Sequence, residues 1–384
     1  MRRVAFRFGV VFAVLVMFPF PLGYLPGTFR LAMWLHEPIR WGVNALAAIL
    51  GIPEPATRMT GSGDTMFAYL ELLLLALVAI AIAFGWTAAD RRSDDARVAR
   101  VMRVALRWWL ATVLVHYGLA KVFELQFREP PAWILDQRVG DKSPMGLLWT
   151  FMGHSRPYTI GAGLAECLGA CLLLWRRTAT IGALVLAIVM TNVVAMNFCY
   201  DVPVKLYSLE LLAAALAVAA PDLRRMMIAA LGRATREVEP APRSHERVGR
   251  IVRVAFLVWV AAHAIEMASL PGRFIPTSEL DGAWDAPTDP RWSRFLVGQG
   301  IVVIRAPTEQ RTYFRAAIDP AKHTIVLDAP LRHGELAYEL RDPDHLVVRG
   351  TINETWYEVT LVRAPPWLLE TRGFHWIQEE PFNR

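Results

Sequence analysis

Up to about residue 270 the chain is a succession of apolar runs, and beyond about 276 it alternates apolar and polar residues with a period of two. The runs fall at about 4–24, 66–86, 105–126, 158–175, 179–198, 204–220 and 251–270. Each approaches the ~20 residues that cross a bilayer as a helix, so the pattern predicts seven spans. The first run, MRRVAFRFGVVFAVLVMFPF, lacks an A-x-A-like cleavage site and continues into PFPLGYLP, which marks an uncleaved anchor. Between the first two runs, LAMWLHEPIRWGVNALAAILGI has helical spacing of large apolar residues and two tryptophans, as expected of a helix lying flat at a membrane interface. Between the third and fourth, PMGLLWTFMG reads as a re-entrant or capping segment, which is tolerated only where protein buries it.

In the C-terminal part the period of two predicts strands at 299–305, 311–318, 323–328, 335–341, 345–350 and 355–363, separated by the turn sequences DPAKH, APLRHG, RDPDH and GTINE. Short, evenly spaced strands predict an antiparallel meander, either a small barrel or a sandwich. The final RGFHWIQEEPFNR reads as a tail packed on that domain or a lid over a membrane site, and the sequon at Asn353 is given no role. The expected fold is therefore a mainly α multi-span membrane bundle with a small antiparallel all-β domain. Four parts are expected: 1–104, N-terminal helices with an outer loop; 105–225, a four-helix core; 226–275, a linker and seventh span; and 276–384, the β domain.

Composition agrees. Of 384 residues, 54% are hydrophobic and 20% charged, and mean hydropathy is +0.31, more apolar than a soluble domain of this size. The net charge of +6 does not indicate nucleic acid, because the arginines gather beside apolar runs. Arg2 and Arg3, then Arg91, Arg92, Arg97, Arg100 and Arg103, then Arg176 and Arg177, then Arg224, Arg225, Arg233, Arg236, Arg243, Arg247 and Arg250 all fall on one side if the N-terminus is cytoplasmic. Seven spans then place the β domain outside a bacterial inner membrane. Cysteines are three (Cys167, Cys171, Cys199), too few and unevenly placed for a disulfide framework; the first two, at i and i+4, are read as packing residues.

The polar residues inside the runs change the picture most. With a rise of 1.5 Å per residue, Glu71, Lys121, Asn192 and Glu210 lie ~8–9 Å from the outer ends of their runs, Glu166 ~12 Å and His116 ~15 Å. By the same measure His263 and Glu266 lie ~6–10 Å deep and Asn197 at the edge; Asp64, Asp201 and Lys205 sit at the rim. Each such residue is expensive in hydrocarbon unless it pairs or meets water. A shared polar pocket opening outward would satisfy them together, with Lys121 against Glu166 or Glu71, and Lys205 against Asp201 or Glu210. The plainer alternatives are snorkelling lysines and interhelical pairs that only hold the bundle together. No CxxC, HExxH or P-loop is present and no metal site is expected; GSGD at 61–64 is read as a cap of the second span through Asp64 or Ser62.

YGLAKVFELQF, SPMGLLWTFMG, the glutamate of AECLGACLLLWRRT, and NVVAMNFCYDVPVKLYSLELL followed by PDLRR together resemble the DoxX-like membrane proteins, over about 105–225. That family is distantly similar to the membrane (HTTM) domain of the vitamin K-dependent γ-carboxylases. The resemblance implies a four-helix bundle and quinone-linked chemistry, with Lys121 at the position of the lysine that serves quinol chemistry. Three functional readings stay open. In the first, a quinone-linked oxidoreductase or subunit, Lys121, Glu166 and His116 are catalytic and Glu71, Asn192, Asn197, Asp201, Lys205 and Glu210 line the ligand site. The second is a module that binds or transports a lipid, small acid or ion. The third is a scaffold showing the β domain to a periplasmic protein partner. Membrane lipid is a partner in all three, quinone a cofactor only in the first.

Overall fold

The computed structural model describes residues 1–53, 55, 61–90, 95–232, 246–270, 277–373, 376 and 378. Arg91, Arg92, Arg233, Arg236, Arg243 and most of the tail RGFHWIQEEPFNR lie outside the described residues. In chain order the helices are α1 (Arg2–Met17), α2 (Phe29–Ile49), α3 (Met66–Ala89), α4 (Asp95–Val122), α5 (Ala132–Leu135), α6 (Pro144–His154), α7 (Arg156–Leu173), α8 (Ala179–Cys199), α9 (Lys205–Ala230) and α10 (Glu246–Ser269). The strands are β1 (Gly282–Asp285), β2 (Arg294–Gly298), β3 (Ile301–Arg305), β4 (Arg311–Asp319), β5 (Thr324–Ala329), β6 (Arg332–Asp342), β7 (His345–Ile352) and β8 (Thr355–Arg363). Two units result: a helical one of residues 1–123 and 157–268, and a second of 124–156 and 269–384.

The helical unit is that of a multi-pass membrane protein. Among the described residues, five helical stretches are long and apolar enough to cross a bilayer: Arg2–Tyr24, Met66–Ala89, Ala179–Cys199, Lys205–Ala230 and Arg247–Ser269. They match five of the seven expected runs. The other two runs are helices as well, α4 and α7, but Arg107, His116 and Lys121 in α4, and Arg156 and Glu166 in α7, dilute their apolar character. α1 packs on α3, α8 on α9, and α2 lies along α3 through Val43, Ala47 and Leu70.

Buried arginines hold helix ends together. The fully buried Arg7 donates to the carbonyls of Trp86 and Asp90, both at 2.9 Å, at the end of α3, where Trp86 O also accepts from Asp90 N. Arg107 does the same for Leu173 at the end of α7, and Arg103 bonds Val218 O and the Asp222 carboxylate. Thr65, rather than Asp64 or Ser62, caps α3, its Oγ1 accepting from Ala68 N at 3.2 Å. Asp64 instead caps α9 by accepting from the backbone N–H of Lys205 (2.9 Å) and Leu206 (3.1 Å). The cap thus ties the loop before α3 to the start of α9.

The second unit is a closed antiparallel barrel in which each strand pairs with the next and β8 returns to β1, Trp284 opposite Arg363. Its interior is filled by Trp284, Phe295, Phe314, Ile325, Leu336 and Leu361, among others, as expected of eight strands. The sequence pattern marks six strands and omits β1 and β2. Their burial is continuous rather than alternating, because the outer faces of β1, β2 and β3 are covered too: Ala283, Leu296 and Val303 pack against Ala132 and Trp133 of α5. The segment 124–156 therefore belongs with the barrel. Its α6 is capped by Ser143 Oγ and starts with Pro144 at the first turn.

Candidate functional site

The polar residues of the helical unit form a cluster built on close helix packing. α4 and α7 meet at Gly118 and Gly163, whose missing side chains allow the backbones to touch. A Cβ on Gly163 would lie 2.5 Å from Gly118 O and 2.8 Å from Lys121 Cβ. Small residues at such crossings are how helices approach within a membrane. One turn along each helix from that contact, Lys121 Nζ donates to both carboxylate oxygens of Glu166, at 3.0 and 2.9 Å. The pair is buried, Glu166 exposing only 2% of its surface. Opposite charges in mutual contact offset the cost of removing each from water.

A line of tyrosines leads away from this ion pair. Lys121 Nζ lies over the Tyr117 ring at 5.8 Å, and Tyr117 packs on Tyr207 of α9 with ring centroids 6.2 Å apart. Tyr207 is hydrogen-bonded to Tyr24, from the segment after α1, and Tyr24 meets His116 edge-on at 6.2 Å. His116 Nδ1 is 2.9 Å from His263 Nε2 on α10, and His263 Nδ1 is 3.0 Å from Glu266 Oε2. Trp259 stacks on His263 at 5.2 Å and donates its indole N–H to Tyr24 O at 3.0 Å. On the other flank His36 of α2 bonds Glu71 of α3 at 2.8 Å, and Glu71 is near enough to Glu210 for their charges to interact.

The sequence-derived residues therefore divide. Lys121 and Glu166 pair directly, and His116 joins the same neighbourhood through Tyr117 and Tyr24. Glu71 takes His36 as partner rather than Lys121. Lys205 pairs with Asp201 at 2.8 Å and Asp64 at 3.6 Å, at the start of α9. Asn197 is buried and donates to Val204 O, which fixes the α8–α9 turn, whereas Asn192 lies exposed on α8. Sequence reasoning did not single out His36, Tyr24, Tyr117, Tyr207 or Trp259. The tyrosines count as apolar in a hydropathy window, and only Tyr117 adjoins His116 in the sequence; Tyr24 and Tyr207 carry no local signal. Among the described residues no group of three or more His, Cys, Asp or Glu is arranged to hold a metal ion.

No family model matches the chain, and no solved structure does. Among curated proteins, the uncharacterized protein YwoB of Bacillus subtilis (strain 168) is 35% identical over 130 residues. The chain belongs to the YwoB family. The match takes in 82% of YwoB but 34% of this chain, so most of the architecture described above lies beyond the part shared with that relative.

Proposed function

We propose that the protein is a seven-span inner-membrane protein, DoxX-like in its third to sixth spans, that binds a quinone head group in the tyrosine-lined polar cluster and exchanges protons with it. Seven spans require α4 and α7 to cross alongside the five apolar helices. The reading is supported by their polar residues, which are satisfied within the unit rather than pointed at lipid. A cytoplasmic N-terminus places the barrel outside the membrane, in keeping with the arginines beside the apolar runs.

One observation carries the functional reading: the bidentate Lys121–Glu166 pair lies against Tyr117, within a group of three tyrosines and a histidine. Flat aromatic faces suit a flat ring, while phenol, ammonium and imidazole groups suit its two carbonyl oxygens. The pair is neutral at rest; when Lys121 donates from Nζ, the pair is left with the negative charge of Glu166 until Lys121 recovers a proton. This chemistry fits general acid–base work on a buried ring oxygen.

The test is direct. The full chain is purified in mild detergent, its co-purifying lipid is extracted for quinone, and decylubiquinone is titrated against tryptophan fluorescence. Saturable quenching that weakens by about tenfold or more in Glu166→Gln is expected, a loss of about 1.4 kcal/mol. No quinone in the extract and no saturable quenching would rule the reading out.

A further inference from the structure

We propose that His116, His263 and Glu266 form a proton-transfer line that leads from the tyrosine cluster to the C-terminal end of α10. The proposal deepens the function argued above and rests on it for the source of the proton, but the line itself stands on geometry.

The His116 and His263 ring centroids are 5.1 Å apart and their planes differ by 19°. With Nδ1 and Nε2 only 2.9 Å apart, the remainder of that separation is one ring radius on each side. The imidazoles thus meet edge to edge, nitrogen to nitrogen, not face to face. The far nitrogen of His263 meets a carboxylate oxygen of Glu266 at 3.0 Å. His116 and His263 are both partly buried, and exposure rises at the end of the line, from a His263 side chain 15% exposed to a Glu266 side chain 68% exposed. A pair that only fastened two helices would not need a carboxylate continuing to the surface.

An imidazole can take a proton at one nitrogen and release another from the second. In the resting line His116 Nδ1–H donates to His263 Nε2, and His263 Nδ1–H donates to Glu266. A proton arriving at His116 Nε2 displaces the Nδ1 proton to His263 Nε2, and His263 passes its Nδ1 proton to Glu266, which releases it. With the release from Glu266, three bonds to hydrogen form and three break along the line, so one proton enters and one leaves. The groups facing this line are Tyr24 from the segment after α1, Tyr117 on α4, and Trp259 and Glu266 on α10. Trp259 is a positioning residue: stacked on His263 within 12° of parallel, it holds the ring in the plane the transfer needs.

Two measurements on the full chain in nanodiscs test the line. Histidine-labelled protein is examined by nitrogen NMR, where a coupling through the hydrogen bond between His116 Nδ1 and His263 Nε2 is expected, and is lost in His263→Gln. Separately, decylubiquinone-loaded protein is reduced electrochemically while infrared difference spectra are recorded. Histidine bands are expected, lost in His263→Gln, with the carboxyl band lost in Glu266→Gln and quinone binding unchanged in both. Binding without histidine bands overturns the line but leaves the binding site standing. If no quinone binds, the NMR measurement still decides: no coupling between the two ring nitrogens overturns the line.

Discussion

Replacing Asp136 with Asn should loosen the barrel unit more than any single surface change. Asp136 follows α5, and its side chain is only 2% exposed. It accepts from Arg294 Nη1 at 2.8 Å, Arg305 Nη1 at 3.1 and 3.2 Å, and Arg311 Nη2 at 2.9 Å. One carboxylate thus binds three guanidinium groups, on β2, β3 and β4. Exposed ion pairs contribute about 0–1 kcal/mol, whereas removing one member of a buried pair costs about 3–5 kcal/mol because the remaining charge is left without a partner. The lower end applies here, since Arg294 keeps Asp285 at 2.6 Å and Arg305 keeps Glu309 at 3.7 Å. For a unit of about 150 residues, a loss of about 3 kcal/mol lowers the melting temperature by about 6–12 °C. Near-ultraviolet circular dichroism follows this through Trp133, Trp284 and Trp292. Adding Arg305→Met to Asp136→Asn should return part of the loss, with a coupling of about 1–3 kcal/mol. A shift under about 2 °C in Asp136→Asn, or strict additivity in the double variant, would refute the view that this carboxylate fastens the segment to the barrel.

Three further outcomes follow from the geometry. Lys121→Met or Glu166→Gln alone should cost about 3–5 kcal/mol, while Lys121→Met with Glu166→Met should be near neutral for stability yet abolish quinone binding; thermal melts in detergent and the quenching titration separate the two effects. Gly163→Val should drive α4 from α7, because even its Cβ would meet Gly118 O and Lys121 Cβ; a melting temperature equal to the parent's would show that the helices do not cross there. Burial and the hydrogen bond to Glu279 push the Tyr338 phenol up to about 12. Its neutral form is favoured in the fold, so this contribution is complete below about pH 10, the unfolded value, and is lost as pH rises toward about 12. Tyr338→Phe should flatten the barrel's loss of stability over that window, read from denaturant midpoints.

Reading by depth was informative where partners stand at similar levels on adjacent helices, as for Lys121 and Glu166. It failed for Glu71, because its partner His36 belongs to a helix outside the expected spans, and spacing within one run says nothing of that helix. The strand pattern marked β4 to β8, which carry an exposed face over at least part of their length, and β3 through its apolar run, although both its faces are covered. It missed β1 and β2, where cover on both sides erases alternation, and that cover comes from a segment lying between two membrane helices. The sequence pattern gives the three arginines around Asp136 no role. Nothing local distinguishes them, since the partner is more than 150 residues distant along the chain.

That distance has a consequence for how the molecule is made. Arg311 bonds a residue synthesised 175 positions earlier. The segment from Glu124 to Arg156, with its apolar Trp133 and its acidic Asp136, leaves the ribosome before β1, β2 and β3 exist, and must wait while four more helices are produced. Domains generally assemble from the N-terminus onward during synthesis, and this one cannot. Its assembly is postponed until β1 to β4 have been translated, so a chain interrupted within the barrel leaves a half-formed platform with no counterpart, visible to quality-control proteases.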